Sequence, residues 1–192
     1  MRIAIHVFED AEELDWVGPW EVLAYWASVR DDVEVVTVSD QPGPVRCAKG
    51  LRVLTDHTWD DVGPIDVLIY PGGRGTRSHL GVEAIRERVR HYHRQGTLLV
   101  SVCTGSLVFA DAGLLDGRPA TTHWRAMDLL PDLGDGLELR PDDRFVDDGD
   151  IITSAGVSAG IDVALHLVAR LGSVDEARDV RRGIQYDPLP PV

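Results

Sequence analysis

Apolar residues alternate along the chain between short unbroken runs and stripes with helical spacing. Ile3 to Phe8 is a brief run with β-branched residues, which predicts a buried strand. Asp15 to Val29 follows with Val22, Leu23, Trp26 and Val29 spaced for one helical face. Pro19 fits that helix's first turn, where a missing N–H costs little. Val33 to Val38 predicts a second strand, and Val45 to Leu54 a small extended excursion turning at Gly50. Asp66 to Tyr70 predicts a third buried strand, stopped by Pro71-Gly72-Gly73. Glu83 to Gln95 is amphipathic and ends at Gly96. Thr97 to Val102 reads as a fourth buried strand, and Gly105 to Ala112 as a helix ended by Gly113. Arg144 to Thr153 predicts a hairpin turning at Asp148-Gly149, and Gly160 to Leu171 an apolar helix. Val174 to Arg182 predicts a last helix capped by Ser173, with Glu176 spaced as in a capping box.

Apolar strands alternating with helices call for a mostly parallel sheet covered on both faces. The expected fold is α/β, a flavodoxin-like three-layer sandwich, with residues 1–192 forming a single domain and no repeat or linker. In such sheets ligands bind beyond the carboxyl ends of the strands. Three loops leave strand ends of that kind: after Phe8, after Tyr70 and after Val102.

A chain of 192 residues is long enough for one good core. The net charge of −13 disfavours nucleic-acid binding by this chain alone, because phosphate backbones are repelled. Two cysteines, Cys47 and Cys103, make no disulfide scaffold. The opening apolar run reaches polar residues by His6, too soon for a signal segment, and no run approaches the ~20 residues of a membrane helix. A soluble cytoplasmic protein is expected. Pro188, Pro190 and Pro191 suggest an extended end.

The candidate chemistry centres on Leu98-Leu99-Val100-Ser101-Val102-Cys103-Thr104-Gly105-Ser106. A hydrophobic strand ends at Cys103 and a helix begins at once, with small Ser101 and Gly105 flanking the turn. This is the logic of a nucleophile elbow with Cys in place of Ser. A thiol at a helix N-terminus is expected to have a lowered pKa and to be nucleophilic. The glycines of Pro71-Gly72-Gly73 leave room for backbone N–H groups to stabilise negative charge on a substrate. Asp15 is open to two readings: a helix cap, or a buried carboxyl aimed at the Cys103 sulfur with a raised pKa. His123 is either a site wall or a structural histidine. Trp16, Trp20 and Trp26 have the spacing of core residues, with a pocket wall as the alternative. No Cys/His cluster suggests zinc, and His91 and His93 point to different sides of a helix.

Several ordered segments resemble the ThiJ/PfpI superfamily, a branch of the class I glutamine-amidotransferase-like fold. They are Asp15 to Leu23, Pro71-Gly72-Gly73, Ser101 to Ser106, Ala112 to Gly117, Ala120 to Trp124 and Thr153 to Asp162. Protease-like members carry His after the cysteine, where this chain has Thr104. Glutaminases use a late His-x-Glu, but His166 is followed by Leu167-Val168. Within the superfamily the match is to the isonitrile-hydratase branch, whose working Asp, Cys and Thr correspond to Asp15, Cys103 and Thr104. The resemblance implies a lyase that hydrates an isonitrile to an N-substituted formamide through a Cys103 thioimidate. Asp15 moves the proton, Thr104 orients substrate or water, and Gly72, Gly73, Trp16 and His123 bind substrate. It implies no metal or organic cofactor and a homodimer. Two alternatives stand beside it: a ligand or redox sensor like the N-terminal domain of AraC-type regulators, and another thiol-based hydrolase or glyoxalase-like enzyme of the superfamily.

Overall fold

The computed structural model describes residues 1–187. In chain order the elements are β1 (Arg2–His6), α1 (Glu13–Ala27), β2 (Glu34–Ser39), β3 (Val45–Arg46), β4 (Arg52–Val53), β5 (His57–Thr58) and β6 (Val67–Tyr70). Then come α2 (Thr76–His79), α3 (Glu83–Arg94), β7 (Leu98–Val102), α4 (Gly105–Asp111), β8 (Pro119–Ala120), a 3₁₀ turn (Trp124–Ala126) and β9 (Glu138–Leu139). β10 (Phe145–Asp147), β11 (Ile151–Ser154), α5 (Ala159–Leu171) and α6 (Val174–Gly183) complete the described chain.

The main sheet has the order β10-β11-β7-β6-β1-β2-β5. All neighbours are parallel except β10 against β11, the expected hairpin. Helices α1, α5 and α6 pack together, while α2 and α3 gather around α4. The result is the flavodoxin-like α/β sandwich. Its middle strands are covered on both faces, so their side chains are apolar without alternation. Ile3, Ala4 and Ile5 of β1, Leu68 and Ile69 of β6, and Leu99 and Val100 of β7 are all inaccessible to solvent. Because β1, β6 and β7 are adjacent, the loops after them converge at one end of the sheet. β3 and β4 form the small excursion, turning at Gly50, whose φ of 99° suits glycine. No helix among the described residues is long and apolar enough to cross a membrane. Pro188, Pro190 and Pro191 lie outside the described residues.

The first helix departs from expectation at both ends. It begins at Glu13 and stops at Ala27, leaving Val29 beyond it and exposed. Pro19 therefore lies inside the helix rather than in its first turn. Close packing on α5 accommodates it. A Cβ at Gly160 would come within 3.1 Å of the Pro19 ring, and one at Gly18 within 3.0 Å of Ile161. The buried Trp26 donates its indole N–H to Glu176 (3.1 Å), which also receives Arg30 (2.6 Å), tying α1 to α6. Ser173 caps α6 by accepting from the Glu176 N–H (3.2 Å), as the sequence predicts.

Trp26 is fully buried and Trp20 is 38% exposed, so their truncations should differ sharply. Trp26→Ala is expected to cost about 3–5 kcal/mol of unfolding free energy, and Trp20→Ala roughly 1 kcal/mol or less, in urea titrations.

Candidate active site

β7 ends at Val102 and α4 begins at Gly105, so the chain reverses within Cys103 and Thr104. Cys103 meets this demand with a φ of 57°, an uncommon conformation for a residue with a Cβ. Such a conformation costs on the order of 1–3 kcal/mol and persists only where its surroundings enforce it. Here the Cys103 N–H donates to the carbonyls of Ser154 and Ala155, each at 3.1 Å. Its carbonyl accepts from the Thr122 hydroxyl (2.9 Å) and the Ser106 hydroxyl (3.2 Å). Gly105 is required, since a Cβ there would stand 2.2 Å from the Tyr70 carbonyl oxygen. The predicted elbow is present, and the β6 and β11 loops lock it in place.

Asp15 lies in the first turn of α1 and is fully buried. Glu12 occupies the cap position, so Asp15 is not the helix cap. Its Oδ2 accepts the Gly72 N–H at 2.9 Å, and its carboxyl lies close enough to the Cys103 thiol for each group to shift the other's ionisation. Its Oδ1 is buried without a hydrogen-bond donor. Burial raises the carboxyl pKa to about 7, although the Gly72 N–H and the thiol favour the ionised form.

The thiol moves the other way from the sequence expectation. Cys103 is only 6% exposed, and burial together with the charge on Asp15 pushes its pKa up to about 12. Backbone N–H groups of Thr104 and Val157 point at the sulfur and offset only part of this. Helix α4 is too short and the site too dry for its dipole to prevail over an adjacent carboxylate. The exposed, low-pKa thiol that a redox-sensor reading calls for is therefore not what the chain presents.

Above the sulfur opens a cavity of about 400 Å³. Cys103, Thr104, Gly73, His123 and Val157 line it, together with Glu12, Arg74, Arg77 and Arg125. Four of the expected site residues thus meet at one opening, with Asp15 buried beneath. The two glycines play a different part from the one expected. The Gly72 N–H is engaged by Asp15, and the Gly73 N–H by Thr104 Oγ1 at 3.0 Å, so neither is free to stabilise charge on a substrate. Gly72 also lets the loop approach, since a Cβ there would lie 2.5 Å from Thr104 N and 2.8 Å from Asp15 Oδ2. The Thr104 hydroxyl is likewise held, donating to the Gly73 carbonyl (3.2 Å) and accepting from Thr76 (3.1 Å).

Trp16 is not a wall of this cavity. It is buried and borders a separate cleft with Val17, Trp20 and Leu54. His123 is a wall and a structural residue at once. Its Nδ1 accepts the Arg125 N–H (3.2 Å), and burial, Arg125 and Arg77 lower its pKa, so the ring stays neutral. His166 pairs with Asp147 at 2.7 Å and does not line the cavity. Val157, Glu12, Arg74, Arg77 and Arg125 were not anticipated. For Val157 a signal exists: the small-residue run Ser154-Ala155-Gly156-Val157-Ser158 follows a strand directly. Val157 has a φ of 53°, and a Cβ at Gly156 would fall 2.2 Å from the His123 ring.

The raised pKa of Asp15 sets a sign for stability. Between the usual carboxylate range and about 7 the folded state holds a proton that the unfolded chain has released, so stability falls as pH rises through this window. Asp15→Asn removes that dependence. Relative to wild type it should gain on the order of 3 kcal/mol between about pH 4 and about pH 8, read from urea midpoints at the two pH values.

The DJ-1/PfpI family model matches residues 1–170. The chain is 39% identical over 191 residues to an isonitrile hydratase of Pseudomonas putida, covering 100% of this chain and 81% of that protein. It is 36% identical over 133 residues to the HTH-type transcriptional regulator CdhR of Pseudomonas aeruginosa, covering 69% of this chain and 39% of the regulator. The crystal structure of a ThiJ/PfpI family protein from Pseudomonas syringae superimposes with a TM-score of 0.89 at 30% identity, covering 100% of this chain and 77% of that one. With its Cys103 elbow and parallel sheet, the chain belongs to the DJ-1/PfpI family.

Proposed function

We propose that this chain is an isonitrile hydratase, converting R–N≡C and water to R–NH–CHO. The observation that carries the reading is the buried Asp15 carboxyl, its pKa raised to about 7, set beside the thiol at the strand-to-helix elbow. The similarity to the P. putida isonitrile hydratase over the full chain supports it.

A terminal isonitrile carbon needs a nucleophile and a proton, and the pair holds both. Ionised Asp15 accepts the thiol proton as the Cys103 sulfur bonds to the carbon. The protonated carboxyl then delivers that proton to the same carbon, giving the thioimidate R–N=CH–S–Cys103. The Thr104 and Val157 N–H groups steady negative charge on sulfur during attack and departure. Water adds to the C=N carbon, nitrogen gains a proton, and the tetrahedral adduct expels the sulfur, which recovers its proton through Asp15. The formamide leaves and the starting pair is restored. Gly72, Gly73 and Thr104 act as positioning residues that hold the carboxyl and the loop around the sulfur.

Turnover of cyclohexyl isocyanide to N-cyclohexylformamide tests the reading. Wild type is expected to form product, and Cys103→Ala to form none. Asp15→Asn should lose about 10²–10⁴-fold in kcat/KM. In wild type, kcat/KM should fall about tenfold per pH step below the Asp15 pKa of about 7, since protonated Asp15 cannot take the thiol proton. A flat profile from about pH 5 to about pH 9 would contradict Asp15 as the base. A ligand-sensing role is the second reading, favoured by the likeness to the regulator. Saturable isonitrile binding without product would support it instead.

The homodimer is proposed alongside, with the exposed apolar Leu14, Trp20 and Leu54 as support. Light scattering on the purified chain should give twice the monomer mass, and a monomer alone would remove this claim.

A further inference from the structure

We propose that the isonitrile accepted at this site carries an anionic group, a carboxylate in the simplest case, beside the reacting carbon; this rests on the hydratase reading. The argument comes from the charge of the cavity mouth. Acidic residues outnumber Lys and Arg by 32 to 19 in this chain. Most of its arginines are paired with carboxylates, as Arg30 is with Asp32, Arg86 with Asp111, Arg144 with Asp162 and Arg170 with Asp147. The opening above Cys103 reverses that balance, with Arg74, Arg77 and Arg125 lining it against one carboxylate, Glu12. Glu12 is itself paired with Lys49.

Among the described residues neither Arg77 nor Arg125 has a carboxylate partner. Both are nonetheless held. Arg77 Nη1 donates to Thr76 Oγ1 (3.0 Å), and Thr76 donates to Thr104 Oγ1, one step from the elbow. The Arg125 guanidinium stacks on the Trp124 ring at 4.7 Å. Arg74 is more engaged, donating to the Ala48 carbonyl (3.0 Å) with Asp10 at 3.8 Å. Arg77 and Arg125 therefore present unpaired N–H groups to the same space, and both act electrostatically on His123 across it. A purely hydrocarbon substituent gains nothing from these guanidinium groups. A carboxylate gains charge-assisted hydrogen bonds to them.

The test compares kcat/KM for isocyanoacetate and for its neutral methyl ester. Wild type should favour the anion by about tenfold or more, and the preference should shrink as salt is added. In the Arg77→Gln, Arg125→Gln double variant the ratio should fall towards one, while Arg77→Lys, Arg125→Lys keeps the charge and much of the preference. Equal or better use of the ester by wild type overturns the proposal, as does a preference unchanged in the glutamine variant. A second readout stands apart from hydration: the rates at which iodoacetate and iodoacetamide alkylate Cys103, followed by mass spectrometry of its peptide. The iodoacetate-to-iodoacetamide ratio should be several-fold higher in wild type than in the glutamine variant. If no isonitrile is turned over, the hydratase reading fails, and this ratio alone decides whether the mouth selects anions.

Discussion

Asp15 and Cys103 share a space almost closed to water, and two negative charges cannot coexist there at neutral pH. Burial suppresses ionisation of both groups, the charge on Asp15 further suppresses ionisation of the thiol, and the thiol in turn favours the ionised carboxyl. Above the Asp15 pKa of about 7 the pair therefore holds a single proton between oxygen and sulfur. A group that gives up its proton only to its neighbour is suited to adding H and S to the same carbon. Much of the surrounding structure serves to keep these two side chains in register. The Gly72 N–H orients the carboxyl, two β11-loop carbonyls fix the backbone of Cys103, and glycine at 105 lets the elbow press against Tyr70.

The fold provides this by topology. Adjacent parallel strands β1, β6 and β7 end at the same level, so the start of α1, the Pro71-Gly72-Gly73 loop and the elbow meet without long loops. The cross-links are backbone ones. Glu12 N–H donates to the Gly72 carbonyl at 2.9 Å, and Ala11 and Gly73 form an isolated bridge. Such contacts require close approach of main chains, which explains why small residues cluster at these points. Function in a shared fold lives in the residues grafted onto these ends. A hydratase and a transcriptional regulator are both similar to this chain, which sets three arginines at its cavity mouth.

Local pattern determined most of the fold. Buried strands wrote themselves as unbroken apolar runs, and helix ends were marked by Gly96, Gly113 and Ser173. The hairpin at Asp148-Gly149 was equally plain, because each signal depends on neighbours in sequence. The elbow was legible for the same reason, since a strand, a cysteine and a helix start in direct succession. Asp15 was recognisable as a candidate, and only packing separated a helix cap from a buried carboxyl beside the thiol.

What the sequence could not determine depends on residues distant along the chain. The thiol's high pKa arises from burial and from a carboxylate 88 positions away in sequence, whereas the local helix-start rule predicts the opposite sign. Gly72 and Gly73 are engaged by Asp15 and Thr104 because three loops converge. Trp16 borders another cleft, with Val17, Trp20 and Leu54, because that face of α1 packs away from the elbow loops. Arg74, Arg77 and Arg125 carry no pattern of their own, and only the tertiary structure gathers them around one cavity. Sequence alone specified the elements and the elbow that carries Cys103, because these follow from hydrophobic period and local turns. The protonation state and the charge of the site were decided by tertiary structure, because electrostatics acts through space and dielectric rather than along the chain.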